Sequence, residues 1–407
     1  MKNSILKTGA KYIAIAGLLA VYSCSSELEK DLPQAKPISR QFAANTLTIT
    51  AGMDLTEING VLSQAQSGDV IEVESGTYAI TGKLELKDGI TLKKQAGAVP
   101  VFSARSKTDE MLEQDWNTGN NNVIIQGIIF HNIRFKIENA SNTSFSYCIF
   151  DYGVRKAGTT KSDTNDAYIQ VTSGANIEIR SCSFKRRMNN SGRGVFVKQS
   201  NHTKITKNNF GATDDTAYFV TAINDNSTRT LIEDNTINRN VSWVKEDETD
   251  HGIYAHSFDG LTVNKNTISG WPADGTGGAV KARNGENLTI TGNIMNDSGI
   301  ILNVYDNLPT KYLKNVLIKD NTITLKSGAM ADNIYSGIGY WKNTSDTSFY
   351  EKSIKIDNNT LINGAIKITP SHLNITSFNE NGGGIYNNKA AKFSIPQGIN
   401  ASGNITN

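Results

Sequence analysis

A short phrase in which apolar and polar residues alternate recurs along the chain, each time around an Asn. In most copies an apolar residue and two polar residues precede the Asn, and another apolar residue follows two positions later. Alternation with a period of two predicts short strands with one buried face, and the regular return of the phrase predicts stacked structural units. The Asn residues of six successive copies, 26 to 38 residues apart, are Asn209, Asn235, Asn266, Asn293, Asn321 and Asn359.

An Asn at the same turn of every unit can form a ladder of stacked side-chain amides. The pattern therefore predicts an all-β, single-domain right-handed parallel β-helix, a solenoid in which each unit is one coil. Upstream, Cys148 and Cys182 stand where later coils have Asn, and 34 residues, about one coil, separate them. We expect two neighbouring, buried and reduced thiols, and a disulfide between them is the alternative.

The N-terminal end of this solenoid has a different pattern. Residues 53–66 carry apolar residues at helical spacing, beginning with Leu55 and Ile58. An amphipathic helix at this point would cover the first coil, whose strand edge would otherwise stay unpaired. We therefore predict one domain over residues 45–407 that begins with a capping helix.

The first 44 residues differ from the rest. Three lysines precede an apolar run, residues 12–21, which is too short to cross a bilayer comfortably and is soon followed by Cys24. Residues 1–23 resemble a bacterial lipoprotein signal peptide, which implies that Cys24 is lipidated; an ordinary cleaved secretory peptide is the alternative. The acidic segment after Cys24 resembles the export tag of Bacteroidetes surface lipoproteins. We expect residues 24–44 to be a tether and the protein to be lipid-anchored at the outer membrane or cell surface.

The charge of the chain argues against one class of partner. The whole chain has 41 basic and 39 acidic residues, and residues 1–23 contain three lysines and no acid. Without that segment the net charge is −1, which offers no electrostatic reason to bind nucleic acid. We expect a monomer with no nucleic-acid partner.

Two consecutive coils carry polar residues at positions where a strand face is exposed. At the ladder offset of 27 residues, Tyr254 lies beside Lys281, and His256 lies beside Arg283. Residues two apart on a strand point to the same side, so these four form a patch on strands about 4.8 Å apart. His251 would lie on the opposite face unless the chain bends at the glycine that follows it.

This patch contains the groups that β-elimination at a uronic acid requires. The C5 hydrogen is a very weak acid until the adjacent carboxylate is neutralised, which Arg283 or Lys281 can do. A base must then remove the C5 proton, and an acid must assist departure of the oxygen on C4. The neighbouring arginine lowers the pKa of Lys281 and makes it a more plausible base. Tyr254 and His256 can serve as acid or base, so the division of roles stays open. The structural alternative is a solvated sheet face.

A family resemblance supports this chemistry. Residues 277–286 resemble the arginine-bearing coil of polysaccharide lyase family 6, which includes chondroitinase B and alginate lyases, and residues 68–78 resemble the opening of such β-helices. That family has its catalytic lysine before a serine in the preceding coil. Here His256 occupies that place, and a lysine stands at position 281 instead. The chain is therefore more similar to calcium-independent β-helix lyases, such as alginate lyases of family 31 or the surface glycosaminoglycan lyases of gut Bacteroidetes.

We expect no metal and no other cofactor. The positions that match the calcium ligands of family 6 hold Thr249 and His251, so those carboxylates are missing. The acidic cluster at residues 246–250 is the alternative calcium site, because closely spaced carboxylates suit a hard cation. It lacks the glycine and the spacing of an EF-hand loop.

Basic and aromatic residues near these coils are candidates for binding the polymer. Arg187, Arg193 and Lys198 belong to a basic stretch with no acid in it, and arginine suits carboxylate or sulfate groups. We expect Tyr305 and Trp341 to project from neighbouring coils, where aromatic rings can stack on sugars. A solvated turn and core burial are the respective alternatives.

The sequence thus predicts an endo-acting lyase of an anionic, uronate-containing polysaccharide. The basic stretch favours a glycosaminoglycan (chondroitin, dermatan or hyaluronan) over alginate. One alternative is a surface lipoprotein that binds glycans without catalysis. The other is a β-helix glycoside hydrolase of the polygalacturonase kind, which needs converging Asp carboxylates, and Asp214–Asp215 is the only adjacent Asp pair.

Overall fold

The alternating phrases form a stack of parallel strands. The structure, a computed structural model, describes residues 44–116, 121–154, 166–185, 187–188, 192–211, 219–239, 251–271, 278–325 and 337–407. From residue 43 onward the chain forms one compact unit. Its described residues include two α-helices, α1 (Leu55–Gln64) and α2 (Ile375–Phe378), and a 3-10 turn at Glu380–Gly382.

The strands of the first half, in chain order, are β1 (Thr46–Ile49), β2 (Val70–Val73), β3 (Gly76–Ala79), β4 (Thr91–Lys94), β5 (Pro100–Ser103), β6 (Leu112–Trp116), β7 (Ile124–Gln126), β8 (Ile129–His131), β9 (Ile133–Glu138), β10 (Ser144–Ser146), β11 (Ile149–Asp151), β12 (Gly153–Val154), β13 (Ala167–Thr172), β14 (Glu178–Arg180), β15 (Ser183–Phe184), β16 (Arg187–Met188), β17 (Arg193–Asn201), β18 (Lys204–Thr206) and β19 (Asn209–Phe210). Those of the second half are β20 (Thr221–Thr228), β21 (Leu231–Glu233), β22 (Thr236–Asn238), β23 (His251–Asp259), β24 (Thr262–Asn264), β25 (Thr267–Ser269), β26 (Gly278–Thr291), β27 (Ile294–Asn296), β28 (Ile300–Val304), β29 (Tyr312–Lys319), β30 (Thr322–Thr324), β31 (Gly337–Lys342), β32 (Tyr350–Asp357), β33 (Thr360–Ile362), β34 (Ala365–Ile368), β35 (Gly384–Tyr386), β36 (Lys389–Ala390), β37 (Lys392–Ser394), β38 (Ala401–Ser402) and β39 (Ile405–Thr406).

These strands line three faces of a parallel β-helix. One face runs from β6 through β17, β23 and β31 to β37, and a second from β1 through β24 to β38. The long strand β26 pairs with β23 on the first face and with β24 on the second, so both faces belong to one 24-stranded sheet. The third face is a separate 13-stranded sheet. We call the face that contains β23 and β26 the front face.

The Asn ladder is present, with one correction. The side-chain oxygen of each ladder Asn accepts a hydrogen bond from the backbone N–H one coil earlier, as in Asn235 to Asn266 at 3.0 Å. Its amide nitrogen donates to a backbone carbonyl of the preceding coil and to the next ladder Asn, as Asn235 does to Ile205 and Asn266. The buried polar atoms of the side chain are therefore satisfied. The prediction of Asn209 as the first rung was wrong. Asn208 is the buried rung, whereas Asn209 starts β19 and is exposed. The ladder continues through Asn388 to Asn404.

Cysteines extend the ladder towards the N-terminus, as expected. The register of β11 with β15 places Cys148 and Cys182 in adjacent coils, and the backbone N–H of Cys182 donates to Asn208 at 2.8 Å. Both thiols are buried and free, as expected, and the alternative of a disulfide is not found. Burial raises the pKa of the Cys182 thiol well above its ordinary value, which makes it a poor nucleophile.

The capping helix is confirmed as α1. Asp54 is its N-cap, and a capping box joins Asp54 and Glu57 through two hydrogen bonds of 2.9 Å. Ile58 and Leu62 are fully buried on its inner side. The helix therefore covers the apolar end of the first coil.

Apolar side chains fill the interior in columns, one rung per coil. On the 13-stranded sheet the rings of Phe150, Phe184 and Phe210 stack with centroids 5.0 and 4.6 Å apart. All three are fully buried. Such contacts add about 0.5–1.5 kcal/mol each beyond the burial of area, so the core itself keeps successive coils in register.

Several predictions concern residues that the structure does not describe. They include the signal peptide, Cys24 and all but the last residue of the tether, the acidic cluster with Thr249, and Asp214–Asp215. In the described part of the chain, no helix is long and apolar enough to span a bilayer.

Candidate active site

Strands β23 and β26 hold the candidate residues in the predicted register. Tyr254 pairs with Lys281, and His256 pairs with Arg283. The residues between them, Ala255 among them, are fully buried in the core, so all four candidate side chains lie on the outside of the front face. They are half-buried there.

His251 joins this group because the strand bends at Gly252. Both Gly252 and Ile253 face the core, and a Cβ on Gly252 would come within 2.7 Å of the Ala279 carbonyl oxygen. In a regular strand His251 would point into the core, as Ile253 does. Because Gly252 also faces the core, the alternation is broken and His251 points outward. Its ring stacks on that of Tyr254, with centroids 5.2 Å apart. The Tyr254 ring in turn lies 5.5 Å from that of His256.

Arg283 is held in place by three contacts. Its Nη1 donates to the Tyr254 hydroxyl at 2.8 Å, and its Nη2 donates to Asn307 Oδ1 at 2.8 Å. Its guanidinium carbon lies 4.1 Å from the centre of the Tyr305 ring. Asn284, which is fully buried, fixes the backbone of Tyr305 through hydrogen bonds of 2.7 and 2.8 Å. The guanidinium is therefore preorganised beside the tyrosine hydroxyl.

Positive charge and burial keep both histidines neutral. The pKa of His256 falls to about 4, first because of burial and then because of Arg283, Arg193 and Lys198. The pKa of His251 lies well below its ordinary value, again first through burial. Near neutral pH, neither ring adds charge to the site.

Lys281 has a pKa close to the working range of most enzymes. Burial, followed by repulsion from Arg283, lowers its pKa to about 8. A substantial fraction of the amine is therefore neutral just above pH 7. A group poised in this way suits general acid–base catalysis, and such shifts are enriched at functional sites.

The predicted binding residues fall in different places. Arg193 is only 5% exposed, in register with Thr221 and, one strand further, with His251. Its side chain is therefore not displayed along the surface as the basic stretch suggested. Lys198 is exposed on the front face. Of Arg187 the structure describes only the backbone, in β16.

Tyr305 and Trp341 come together on the C-terminal side of Arg283. Trp341 lies in β31, two strands from β26, and Asn303 of β28 lies between it and Arg283. The two aromatic rings meet edge to face with centroids 6.1 Å apart. Both side chains are partly exposed, so they present an aromatic surface next to the site.

On the N-terminal side of the site, a groove of about 600 Å³ crosses the front face. It runs over β6, β9, β13, β17, β20 and β23 and ends at His256. Its lining residues are Glu113, Arg134, Lys136, Glu138, Gln170, Thr172, Phe196, Lys198, Asn226 and His256. Because parallel strands are about 4.8 Å apart, the groove is long enough for several sugar units.

The described residues contain no cluster of three or more His, Cys, Asp or Glu that could hold a metal ion. The acidic cluster at residues 246–250, which was the alternative calcium site, lies outside them. The calcium alternative therefore stays a prediction.

Several solved structures share this fold at low sequence identity. The surface protein and adhesin PfbA of Streptococcus pneumoniae has a TM-score of 0.59 and 13% identity, covering 89% of this chain and 100% of that one. A hyperthermoactive exopolygalacturonase from Thermotoga maritima has a TM-score of 0.51 and 10% identity, covering 88% of each chain. The tailspike protein of E. coli bacteriophage HK620, in complex with a pentasaccharide, has a TM-score of 0.52 and 11% identity. The match covers 86% of this chain and 66% of the tailspike chain.

These likenesses establish the fold. The chain is a right-handed parallel β-helix, as the ladder predicted. No family model matches the chain, and no curated protein matches its sequence.

Sequence reasoning missed most of the groove. Its lining residues before Lys198 stand at outward positions of earlier coils, in register with the site through β13, β17 and β20. Following the outward positions of Tyr254 and His256 to the preceding coil in the sequence would have found Asn226. The columns further back are hard to find because the loops between these coils differ in length.

Proposed function

We propose that this protein is a polysaccharide lyase that cleaves a uronate-containing polysaccharide by β-elimination. One observation carries the proposal. A fixed arginine, a tyrosine hydroxyl 2.8 Å from it and a lysine with a pKa of about 8 share two adjacent strands at the end of an open groove. Each of the three groups that the reaction needs is therefore present on one surface.

Arg283 neutralises the carboxylate of the uronate. A guanidinium presents two parallel N–H donors to a carboxylate, and its present partners, Tyr254 and Asn307, hold it without an opposing charge. Neutralising the carboxylate stabilises the negative charge that develops on it when the C5 proton leaves. Because the group is already oriented, little reorganisation is needed at that step.

Lys281 acts as the base and Tyr254 as the acid. The neutral amine of Lys281 takes the C5 proton, and the electrons of the C5–H bond form the C4–C5 double bond. The C4–O bond then breaks, and the leaving oxygen takes the hydroxyl proton of Tyr254. The proton on Lys281 returns to the tyrosine through solvent. His256, with a pKa of about 4, accepts a proton poorly near pH 7, and burial lowers the pKa of His251 well below its ordinary value. Both neutral rings therefore bind sugar hydroxyls instead of acting as the base.

The groove favours cleavage within a chain. It continues from the site along the front face over five further strands, and the aromatic pair of Tyr305 and Trp341 lies on the other side of the site. A polymer can therefore be held on both sides of the cleaved bond, as an endo-acting enzyme requires. Lipid attachment at Cys24 would place this groove at the cell surface, where polymers are accessible.

The test is the ultraviolet absorbance of unsaturated uronate products from a panel of polymers. Hyaluronan, chondroitin and dermatan sulfates, alginate and polygalacturonate are each incubated with the protein, with and without a chelator. We expect a chelator-resistant rise on at least one polymer and its loss in Lys281→Gln. The matched control is Lys355→Gln, which removes an exposed lysine paired with Asp357 on another face. Reducing ends without the absorbance would indicate hydrolysis and refute the proposal.

A second function is favoured by the aromatic pair and by the likeness to a surface adhesin: glycan binding without cleavage. Under that alternative, a polymer binds to the wild-type protein and no product of either kind appears. Lys281→Gln would then weaken binding, whereas a lyase with the same change keeps its substrate and loses turnover.

A further inference from the structure

The groove beside the site is nearly balanced in charge. Arg134 forms an ion pair with Glu113 across β6 and β9, and Lys136 forms one with Glu138 at 3.1 Å. These pairs account for four of the ionisable residues that line the groove. In both pairs the basic group is already compensated by a carboxylate, so this part of the groove offers a polymer no uncompensated positive charge.

Lys198 is the remaining cation among the described residues that line the groove, and it is exposed. It pairs in register with Asn226 of β20. On the next strand, His256 follows Ala255, the partner of Asp225, and His256 itself pairs with Arg283. Three strand spacings separate Lys198 from Arg283, or about 14 Å. Between these two positive charges lie an amide and a neutral imidazole, which hydrogen-bond sugar hydroxyls and offer no positive charge to an anion.

The basic stretch expected from the sequence does not change this balance. Arg193 is buried, so among the described residues of that stretch only Lys198 lines the groove. Gln170, Thr172 and Asn226 supply uncharged hydrogen-bonding groups along the same surface. A densely charged polymer would therefore bring anions to a surface whose cations are already paired with Glu113 and Glu138, where they gain little attraction and meet two carboxylates.

We infer that the groove binds an unsulfated polysaccharide in which uronates alternate with neutral sugars. This inference rests on the proposed function for the identity of the cleaved residue, a uronate at Arg283. It adds that the next recognised carboxylate lies near Lys198, with neutral sugar between them. Polymers of uronate alone, and sulfated polymers, place additional charge where the groove offers amides and carboxylates.

The first test is binding at physiological ionic strength, measured by affinity electrophoresis with the full-length Lys281→Gln protein so that no polymer is cleaved. The probes are hyaluronan (alternating and unsulfated), chondroitin sulfate (alternating and sulfated) and alginate (uronate alone). We expect hyaluronan to bind at least about five-fold more tightly than the other two, since each misplaced exposed charge changes affinity by about 1.4- to five-fold. Equal or tighter binding of chondroitin sulfate or alginate overturns the inference, and so does binding to none of the three.

A charge variant tests the cause of the selectivity. Glu113→Gln combined with Glu138→Gln leaves Arg134 and Lys136 without their carboxylates, and we expect the preference for hyaluronan over chondroitin sulfate to fall by about two-fold or more. Glu72→Gln is the control, because it breaks the same kind of pair, Lys93–Glu72 at 3.2 Å, on another face. An unchanged preference in the double variant contradicts the inference.

Failure of this inference differs from failure of the proposed function. If wild-type protein forms unsaturated product equally fast from sulfated and unsulfated chains, the lyase assignment holds and the groove assignment fails. If hyaluronan binds selectively but no polymer yields unsaturated product, the groove assignment holds and the lyase assignment fails.

Discussion

Lys281 is expected to lower the stability of the protein while supporting its activity. At a pH of about 7.5, an amine with a pKa of about 8 is neutral in about a quarter of molecules, against about one in a thousand for an ordinary lysine. Lowering the pKa from 10.5 to about 8 corresponds to about 3 kcal/mol of unfavourable free energy for the protonated folded state. Replacing Lys281 by Met should therefore remove a base and a stability cost together.

The sign of this linkage fixes the pH window. The folded-state pKa of Lys281 is depressed, so the unfolded state binds more protons between about pH 8 and the ordinary lysine value of 10.5. The cost is complete below about pH 8 and disappears as the pH rises through that window. Lys281→Met should raise the free energy of unfolding by up to about 3 kcal/mol at pH 7, and this gain should shrink as the pH rises above 8.

The assay is urea unfolding followed by tryptophan fluorescence at several pH values, together with the rate of product formation. In the wild type, kcat/KM should rise with pH and level off above about 8, because the neutral amine is the active form. Lys281→Met should lose about 10²- to 10⁴-fold in kcat. Lys355→Met, at a partly exposed position of β32, should change stability by less than about 0.5 kcal/mol. A fully active Lys281→Met protein, or one that is no more stable at pH 7, would refute the reasoning.

Three further changes test the scaffold and the anchor. Asp225 is fully buried, and burial raises its pKa to about 7. Because the folded state then binds more protons than the unfolded state, the free energy of unfolding should fall as the pH rises from about 4 to 7. Asp225→Asn should flatten that dependence in urea unfolding. Asn266→Ala removes a rung that accepts from Asn235 and donates to Asn293, which should cost about 3 kcal/mol of unfolding free energy by the same measurement. Cys24→Ala should move the protein from the detergent phase to the aqueous phase in phase partitioning of cells, whereas Cys148→Ser should not, since that thiol is buried.

The fold and the pairing of the site were predictable because both depend on one periodicity. Alternation fixes which residues face outward, and the offset between ladder rungs fixes which outward residues are neighbours. Tyr254 and Lys281 are therefore in register for the same reason that Asn266 and Asn293 are. The prediction failed by one residue at a pair of consecutive Asn residues. The spacing of the phrase, three residues after Ile205 and two before Phe210, fits Asn208 and not Asn209, and Asn208 is the one that is buried.

What the sequence left open depends on packing between coils. The outward turn of His251 follows from the close approach of Gly252 to the Ala279 carbonyl, a contact between residues of different coils. Arg193 lies in register with His251 two strands earlier. The spacing of residues in the sequence does not predict its burial either. Periodicity describes each coil by itself, so departures from regular alternation are seen only when neighbouring coils are packed together.

The arrangement of charge along the front face explains why the reaction would be confined to one place. Both histidines are neutral there, so the positive charge of the site resides on a few fixed groups, among them Arg283 and Lys281, while the groove leading to it is balanced by ion pairs. A uniformly basic groove would hold a polyanion equally well in many registers, because attraction between charges is not directional. A balanced groove holds the polymer mainly through hydrogen bonds, which are specific in geometry. Under the proposed function, the site would then provide the strongest attraction for a carboxylate and would set the register of cleavage.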